Sequence, residues 1–464
     1  MVNYFLGVTM SKRDWGVLFV LCGAIFLEGI DVAMLNVALP AIRADLGMST
    51  GGLQWVMSAY VLGYGGFMLL GGRAADLFGR RRMFVLWLTV FIAFSGLGGF
   101  ASEPWMLIAA RFVTGVAAAF MTPAGLSIIT TSIEEGAKRD KALLIYSGTA
   151  AGGFSVGLVI GGLLTTVDWR LVFFAPVALA VVILVAALAL VPKADAPERS
   201  GNRIDLAGAV SVTAAIVLLV LGVERAAGAP VVQTVATVAA GLLALALFAA
   251  IERKVKEPLV RLSILRDGRL LRGNLAAMLF AGAFAAFQFT VVLFLQELRG
   301  WSSLQASLAM LVIGIDVILA PTLTAKLVAR FGNARVAVGG LAAAALGYAA
   351  FLPVAPDWTY AAMLPSFLLI GLAFSLAYGP LTIAATEGVP EADQGLAGGL
   401  FYTAFQFGTA LGLAVATTAN VALGGSSMLD GLRGALVVPV AMAVLAAVIA
   451  VPGARSRREA VAVA

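Results

Sequence analysis

The sequence predicts an all-α membrane protein with fourteen transmembrane helices, and three features lead to that prediction: composition, long apolar runs and the placement of positive charges. Of the 464 residues, 61% are hydrophobic and only 12% are charged, and the mean hydropathy is +1.01. A soluble chain carries roughly a quarter charged residues. Here the charges form short clusters between apolar runs, as expected of a chain that lies in lipid.

Apolar runs long enough to cross a bilayer follow one another along the chain. A helix needs about 20 mostly apolar residues to span the hydrocarbon core. Fourteen runs meet this requirement, of which the seventh is short and the fifth is rich in Gly. The predicted spans are approximately 15–37, 51–72, 83–101, 105–127, 141–164, 170–191, 205–223, 231–251, 274–297, 303–327, 335–354, 360–383, 395–420 and 434–452.

Lys and Arg are divided unevenly between the two sides that these spans define. If the N-terminus is cytoplasmic, the cytoplasmic loops and tails hold 25 of the 31 Lys and Arg, and the opposite loops hold five. Cytoplasmic loops normally carry this excess. We therefore expect a multi-pass protein of the cell inner (plasma) membrane with both termini in the cytoplasm. No cleaved signal peptide is expected, because the first apolar run is too long.

The residue inventory excludes several kinds of site. The chain contains no His, and Cys22 is its only cysteine. It therefore has no disulfide within one chain, no Cys/His zinc site and no His-dependent catalytic group. The GxxxxGK(S/T) loop that binds ATP phosphates is also absent. We expect neither an enzyme nor a bound metal or cofactor, and the net charge of +6 follows membrane topology and not nucleic-acid binding.

Two similar segments indicate an internal repeat. Residues 77–82 (Leu-Phe-Gly-Arg-Arg-Arg) follow the second span, and residues 330–335 (Arg-Phe-Gly-Asn-Ala-Arg) follow the tenth. If spans seven and eight are an insert, both segments occupy the same place in two six-helix halves. Halves related by a pseudo-twofold axis hold a substrate site near the midplane between them. The predicted 6+2+6 arrangement has an N-terminal half over 1–191, a linker with two extra helices over 192–273 and a C-terminal half over 274–464.

The loop after the second span resembles the signature loop of the major facilitator superfamily. It reads Gly-Arg-Ala-Ala-Asp-Leu-Phe-Gly-Arg-Arg-Arg, and Gly72, Asp76, Gly79 and Arg80 match the family pattern. Glycines permit a sharp turn, and the Asp can cap a helix end or pair with an Arg. The resemblance implies that these residues form a conformational motif on the cytoplasmic side.

Two further helices carry motifs similar to those of the same family. The segment Leu-Ile-Ala-Ala-Arg-Phe-Val-Thr-Gly around Arg111 looks like the fourth-helix motif, with Thr114 in place of the usual Gln. The Gly-rich segment that contains Gly157 and Gly161 is similar to the fifth-helix motif associated with antiporters. Leu158 stands where that motif has Pro.

The first helix resembles the fourteen-span drug:proton antiporter branch of the family. Its segment Asp31–Pro40 reads Asp-Val-Ala-Met-Leu-Asn-Val-Ala-Leu-Pro. The resemblance extends over nearly the whole chain. It implies a major facilitator fold whose halves rock around a central site, and proton-driven export of drugs, antibiotics or other small organic molecules without ATP. Other residues similar to this branch are Gln54-Trp55 with Tyr60, Trp169-Arg170 with Phe173, and Glu257-Pro258-Leu259.

Three ionisable residues in the N-terminal half fall inside predicted spans, where a charge is costly and indicates function. Glu28 and Asp31 are three residues apart and share one face of the first helix. From the helical rise, Asp31 and Arg111 both lie roughly 9 Å from the outer ends of their helices. An ion pair between them is therefore possible if the two helices are neighbours.

We expect Glu28 and Asp31 to include the proton-binding site. Two neighbouring carboxylates in a low dielectric resist double ionisation, so one of them is expected to hold a proton. Arg111 would keep Asp31 ionised and leave Glu28 as the better proton carrier, and the family motif at Arg111 is implicated in coupling. The alternative is that Asp31 and Arg111 form a structural pair that joins two helices.

The C-terminal half offers candidates for substrate binding. Asp316 lies in the tenth span, roughly 20 Å from its outer end. It is expected to face a cationic substrate or take a second proton, the alternative being a hydrogen bond to neighbouring helices. Phe287 and Gln288 lie among the aromatic residues of the ninth span, and we expect them to line a pocket for flat, apolar ligands. Packing or lipid contact is the alternative for any one ring.

Two charged segments lie between spans. Glu387, Glu391 and Asp393 follow the twelfth span in a segment without Lys or Arg, and we expect a solvated loop on the outer side of the membrane. The basic stretch from Arg253 to Arg272 either contacts anionic lipid headgroups or sets the topology.

Two other functions remain open at this point. A symporter that imports a small metabolite shares the fold, and the missing motif proline keeps it open. A non-transporting membrane sensor or scaffold would not need buried carboxylates. The expected partners are a small-molecule substrate, protons and membrane lipids, with no nucleic acid, and we expect a monomer.

Overall fold

The computed structural model of the protein describes residues 10–48, 50–192, 205–225, 230–255, 258, 268–424 and 427–462. Within these ranges the chain is helical and has no β-strand, which confirms the predicted all-helical fold. The 257–259 motif and most of the basic stretch between Arg253 and Arg272 lie outside the described residues. The helices are α1 Lys12–Leu46, α2 Thr50–Phe78, α3 Arg80–Gly99, α4 Pro104–Ser132, α5 Ala137–Thr165, α6 Leu171–Leu190, α7 Leu206–Arg225, α8 Val231–Glu252, α9 Gly268–Leu293 with a π-helical end Phe294–Leu298, α10 in pieces given below, α11 Asn333–Ala349, α12 Tyr360–Thr386, α13 Gln394–Leu423 and α14 Met428–Ala462.

Twelve helices of the described ranges are long and apolar enough to cross a membrane. The other two helices have shorter apolar stretches. The apolar part of α7 is Ala207–Gly222, and the whole of α11 has 17 residues. The protein is therefore a multi-pass membrane protein with about twelve apolar helices. The count of fourteen spans stays a prediction.

The tenth helix is interrupted near its middle. Pro321 lies in a π-helical stretch, where its ring and missing N–H do not fit a regular helix. Asp316 lies directly after a 3-10 stretch. Irregular backbone inside a membrane is tolerated where it is buried in protein or lines a cavity. The interruption therefore indicates that α10 is buried in protein or lines a cavity near Asp316. The pieces of α10 are Ser303–Met310, the 3-10 stretch Leu311–Ile315, Asp316–Leu319, the π-helical stretch Ala320–Thr324 and Ala325–Phe331.

Consecutive helices run in opposite directions, so the connections fall at two ends of the bundle. We call the end at which α1, α3 and α5 begin the basic end, because it carries Lys12, Arg73, Arg80 and Arg139. The turns at this end are tight. Gly79 and Gly332 begin α3 and α11 with φ of 95° and 83°, which glycine adopts without steric cost.

Glycine also sets the distance between α1 and α5. A Cβ added at Gly157 would lie 2.7 Å from the Cα of Ile30, and one at Gly161 would lie 2.6 Å from the Cα of Met34. The two backbones therefore touch along a glycine face of α5. Small residues permit this close packing in membranes, where lipid tails leave no hydrophobic drive between helices. The candidate conformational glycines thus form the α1–α5 contact.

The helices α7 and α8, which we predict to be an insert, lie at the side of the bundle. Val212 and Ile216 of α7 pack in one cluster with Leu69 of α2 and Leu396 of α13. α8 packs against α7, and most of its side chains face outward. α7 therefore contacts one helix from each predicted half.

We predict that Gly157→Ala lowers the stability of the folded protein by ~1–3 kcal/mol, because the new methyl group overlaps Ile30 and Ala33 on α1. Gly96→Ala is the matched control, since an added Cβ at that helical glycine meets nothing within 4 Å. The measurement is thermal unfolding of both variants in detergent. An unchanged melting temperature for Gly157→Ala, or an equal drop for both variants, would contradict the contact.

Candidate functional site

A central cavity of about 330 Å³ lies between the two halves. α1, α2, α4 and α5 line it on one side, and α9, α10, α12 and α13 line it on the other. Aromatic rings, a few polar groups and three ionisable side chains make up its wall, as expected of a small-molecule site. The polar and ionisable lining residues are Glu28, Tyr60, Tyr64, Arg111, Ser155, Gln288, Asp316, Tyr378, Tyr402, Gln406 and Thr409.

Asp31 and Arg111 form a buried ion pair. Arg111 Nη1 lies 2.7 Å from Asp31 Oδ2, and the two side chains are 2% and 1% exposed. The guanidinium also lies 4.4 Å from the ring centre of Tyr60, within the range of cation–π attraction. The predicted ion pair is confirmed, since α1 and α4 are antiparallel neighbours and carry the two residues at equal depth. Asp31 therefore has a positive charge beside it.

Glu28, one helical turn from Asp31, has a different environment. The Tyr64 hydroxyl donates to Glu28 Oε2 at 3.1 Å, and the Thr122 hydroxyl contacts Oε1. Thr122 also donates to the carbonyl of Ala118 at 2.9 Å. A hydroxyl has a single proton. The Glu28 carboxyl and the Ala118 carbonyl therefore share the one proton of Thr122.

The two carboxyl groups therefore have partners of different charge. Asp31 is held by a cation, whereas Glu28 is buried at 7% exposure and is held by neutral hydroxyls. A buried charge is costly without a counter-charge, and a neutral carboxyl with hydrogen bonds is not. The arrangement can take up a proton on Glu28 and leave the Asp31–Arg111 pair intact.

The C-terminal side of the cavity combines rings with fewer polar groups. Asp316, 1% exposed, and Gln288 both line the cavity. Phe287 does not line it. Its fully buried ring packs against Tyr348 and Phe351, with centroids 5.1 and 5.3 Å away, in the core of the C-terminal half. The side chain that faces the cavity from this turn of α9 is Phe284.

At the basic end, the predicted conformational motif joins the two halves. Asp76 accepts hydrogen bonds from the backbone N–H groups of Gly395 and Leu396, each at 3.2 Å. These donors belong to the first turn of α13, where unpaired N–H groups and the helix dipole favour an anion. Arg80 Nη2 lies 3.4 Å from Asp76 Oδ1. Asp76 on α2 thus caps a helix of the opposite half.

The backbones themselves touch at this junction. A Cβ added at Gly72 would lie 2.3 Å from the carbonyl oxygen of Gly395, and one at Gly395 would lie 2.4 Å from that of Gly72. Glycine is required on both helices for this approach. The contact holds α2 and α13 together at the basic end.

The acidic segment after α12 lies at the same end of the bundle as Arg73 and Arg80, so its predicted placement in an outer loop, on the side opposite these residues, is wrong. Arg80 donates to the Glu391 carbonyl at 2.6 Å and its Nη1 lies 3.5 Å from the Glu391 carboxylate, while Arg73 lies 3.9 Å from Asp393. The segment therefore lies at the basic end, where the even-numbered helix α12 ends. It has no Lys or Arg of its own because its partners come from the N-terminal half.

Sequence reasoning missed the hydroxyl-bearing part of the site. Tyr64, Thr122, Tyr378 and Tyr402 are ordinary residues in a hydropathy plot, and hydropathy alone does not separate them from packing residues. One signal was available, since Tyr64 lies four residues after Tyr60 and the two rings stack with centroids 5.7 Å apart. Among the described residues, no group of three or more Asp, Glu, Cys or His side chains is placed to hold a metal ion.

Comparison with known proteins agrees with this architecture. The sequence model of a family described as Major Facilitator Superfamily matches residues 21–413. The chain is 37% identical over 410 residues to the cephamycin export protein CmcT of Amycolatopsis lactamdurans, which covers 86% of this chain and 83% of that protein. It is 36% identical over 425 residues to the puromycin resistance protein pur8 of Streptomyces alboniger, which covers 88% and 82%.

A solved structure shows the same fold at low sequence identity. The human organic anion transporter MFSD10 (TETRAN) superimposes with a TM-score of 0.68 over 93% of this chain and 100% of that chain, at 16% identity. At this identity the likeness concerns the fold alone.

We predict that Asp31→Asn destabilises the protein by ~3–5 kcal/mol, because it leaves Arg111 charged and uncompensated in the core. Adding Arg111→Met should restore much of the loss, since removing both charges costs far less than removing one. Thermal unfolding of the single and double variants in detergent tests this. A double variant no more stable than Asp31→Asn would contradict a mutual charge balance.

Asp45→Asn is the control for this experiment. Asp45 lies in the part of α1 beyond the membrane-spanning segment, where hydrogen bonds from Trp169 and Arg170 lower the pKa of its carboxyl. Arg170 Nη1 lies 2.9 Å from Asp45 Oδ2, but both side chains are accessible to solvent. Exposed pairs contribute little to stability, so this variant should melt near the wild type.

Proposed function

The chain belongs to the major facilitator superfamily, and from this premise we propose that it exports small organic molecules across the cytoplasmic membrane by alternating access, driven by proton entry. It is a transporter of small-molecule substrates and not an enzyme. The relatives named for cephamycin export and puromycin resistance support drugs, antibiotics or similar amphipathic compounds as substrates.

The buried carboxyl of Glu28 is the observation that carries the proton-driven part of the proposal. It lines the same cavity as the aromatic wall and has neutral hydroxyl partners. We place the proton on Glu28 and assign Asp31 and Arg111 to holding the coupling site together. Loss of the proton leaves a costly buried anion. That cost favours a conformation in which Glu28 meets water or a new partner, which links proton release to movement of the halves.

The junction at the basic end supports alternating access. Opening the cavity at this end requires the bonds from Asp76 to α13 and the contacts of Arg73 and Arg80 to the acidic segment to break. These are polar contacts at the edge of the membrane, where water can replace them. Gly72 and Gly79 would then be needed in the closed state, and Gly157 and Gly161 would keep α5 moving with α1.

We further propose fourteen spans in a 6+2+6 arrangement. α7 and α11 would cross the membrane with the other twelve, and residues 192–273 would form an inserted linker between halves over 1–191 and 274–464. The alternating directions of the helices and the excess of Lys and Arg at the basic end support a cytoplasmic basic end with both termini there. We expect a monomer in contact with lipid in the inner (plasma) membrane.

Everted membrane vesicles with an acid interior test the export proposal directly. The protein should accumulate members of a panel containing ethidium, puromycin and chloramphenicol inside these vesicles and release protons as it does so. Accumulation only in right-side-out vesicles would indicate an importer. Binding without transport in either orientation would favour a sensor or scaffold.

We predict that Glu28→Gln abolishes gradient-driven accumulation, because the amide keeps the hydrogen bonds to the hydroxyls but cannot exchange a proton. Equilibrium exchange of labelled puromycin without a gradient should persist, since the variant mimics the protonated state. Glu103→Gln, at an exposed position outside the cavity, is the matched control and should transport normally. Full proton-coupled accumulation by Glu28→Gln would remove Glu28 from the mechanism.

The Asp316→Asn variant tests whether Asp316 contributes a charge to substrate binding or only packs in the cavity wall. The carboxylate is buried in the cavity wall and would offset a positive charge on the substrate. We predict that the variant loses transport of ethidium and keeps transport of neutral chloramphenicol, measured in the same vesicles. Equal transport of both compounds by variant and wild type would favour a structural role, and equal loss of both would favour a second proton site.

A further inference from the structure

Tyrosine hydroxyls from both halves converge at the side of the cavity nearest the basic end. Tyr378 of α12 and Tyr402 of α13 line the cavity, and Tyr146 of α5 lies beside them. All three are buried, with exposures of 7%, 3% and 2%. Tyr402 lies eight residues into α13, roughly 12 Å from the helix start, so the cluster stands between the cavity and the closed junction. We call Tyr378, Tyr402 and Gln406 the cavity floor.

The hydroxyl of Tyr402 has unused hydrogen-bonding capacity. The hydroxyls of Tyr146 and Tyr378 both interact with it, although neither contact has the length and angle of a standard hydrogen bond. Each phenol can donate one hydrogen bond and accept others. These two contacts therefore leave acceptor capacity on the Tyr402 hydroxyl, and the group is part of a cavity wall. An occupant of the cavity can be a further partner.

The wall above the floor is a continuous run of aromatic rings from the C-terminal half. Phe284 and Phe374 have centroids 5.0 Å apart, Phe374 and Tyr378 are 5.2 Å apart, and Tyr378 and Phe405 are 5.3 Å apart. The rings are tilted against one another at distances typical of favourable aromatic contacts. A flat aromatic ligand can extend this series, and Tyr378 belongs to both the wall and the floor.

The floor has polar groups that carry no charge. Gln406 lies four residues after Tyr402, so the two side chains project from the same face of α13. Phenols and an amide both donate and accept hydrogen bonds. They match a hydroxyl or carbonyl group on a ligand, but they provide no counter-charge for an ionised group, which is costly to bury. The ionisable lining residues stand on α1, α4 and α10.

We propose that the cavity floor binds a neutral hydroxyl or carbonyl group of a planar aromatic substrate, with Tyr402 as the specificity-determining residue. The substrate body lies on the Phe284–Phe374–Phe405 wall, and its polar edge points to the basic end. The inference rests on the proposed function, because the occupant is taken to be the exported molecule.

A pair of neutral probes that differ by one hydroxyl tests this. 9-Anthracenemethanol and 9-methylanthracene are equilibrated by dialysis with the full-length protein in lipid nanodiscs, with empty nanodiscs as the reference for partition into lipid. The wild type should bind the alcohol more tightly. Tyr402→Phe should weaken binding of the alcohol by roughly tenfold, the effect of one lost hydrogen bond, and leave the methyl compound unchanged. Tyr378→Phe should reduce the preference in the same direction.

Tyr348→Phe is the matched control. Tyr348 is fully buried and its hydroxyl makes no hydrogen bond among the described groups, but it lies in the core of the C-terminal half and does not line the cavity. This variant should keep the wild-type preference. If the wild type binds neither probe or binds both equally, or if Tyr402→Phe keeps the preference, the proposal is overturned.

The vesicle experiment on the same proteins separates this inference from the proposed function. Loss of the hydroxyl preference in Tyr402→Phe, together with failure of proton-driven accumulation in the wild type, would support the binding site and reject proton-driven export. Proton-driven accumulation by a wild type without the preference would reject the floor and leave export intact.

Discussion

The hydrocarbon core of the bilayer provides no water to stabilise a charge, and this constraint shapes the centre of the protein. Asp31 and Arg111 meet this constraint by forming an ion pair between antiparallel helices. The distance between Arg111 Nη1 and Asp31 Oδ2 is 2.7 Å. Glu28 lies one turn away and meets the constraint through hydroxyl groups. The same constraint therefore produces two kinds of carboxyl on one helix face, one paired with a guanidinium and one bonded to hydroxyl groups. Under the proposed mechanism, a proton would bind and leave Glu28 while the Asp31–Arg111 pair keeps the two helices joined.

A second constraint follows from the first, since apolar helices gain little from burying apolar surface against one another in lipid. Close backbone contact has to hold them, and glycine permits it at Gly157 against Ile30 and at Gly72 against Gly395. The first contact lies within a half and the second lies between halves. Only the second is combined with water-replaceable polar bonds, those of Asp76 to α13. In the proposed alternating-access cycle, the junction between the predicted halves is therefore the contact that would open.

The sequence was sufficient to predict the parts of the site that depend on charge and on depth in the membrane. It was not sufficient where the rotation of a helix determines which side chains face the cavity. Equal depth made an Asp31–Arg111 pair possible, and the structure shows that the two helices are close enough to form it. Phe287 was placed in the cavity because it adjoins Gln288, but one residue turns a helix by about 100°, and the ring points into the core. A helix that is apolar all round gives no pattern from which to choose the face.

The acidic segment after α12 shows the same limit for contacts between halves. Its lack of Lys and Arg suggested solvent, but Arg73 and Arg80 reach it from over 300 positions earlier in the chain. The pairing follows from the fold of two halves and not from local sequence. Tyr402 is a comparable case, since only packing of α5, α12 and α13 brings its hydroxyl beside Tyr146 and Tyr378.

The two sides of the cavity carry different chemical groups. The predicted N-terminal half carries Glu28, the proposed proton site, and the Asp31–Arg111 pair, and the predicted C-terminal half carries the aromatic wall and Asp316. Tyr64 stands between these groups, because its ring lines the cavity and its hydroxyl donates to Glu28 at 3.1 Å. A protonated Glu28 no longer needs that hydrogen as strongly as the anion does, because bonds to charged groups are the stronger ones. Under the proposed mechanism, protonation of Glu28 would therefore free the Tyr64 hydroxyl for the cavity, and a substrate that binds Tyr64 would be coupled to the proton without touching Glu28.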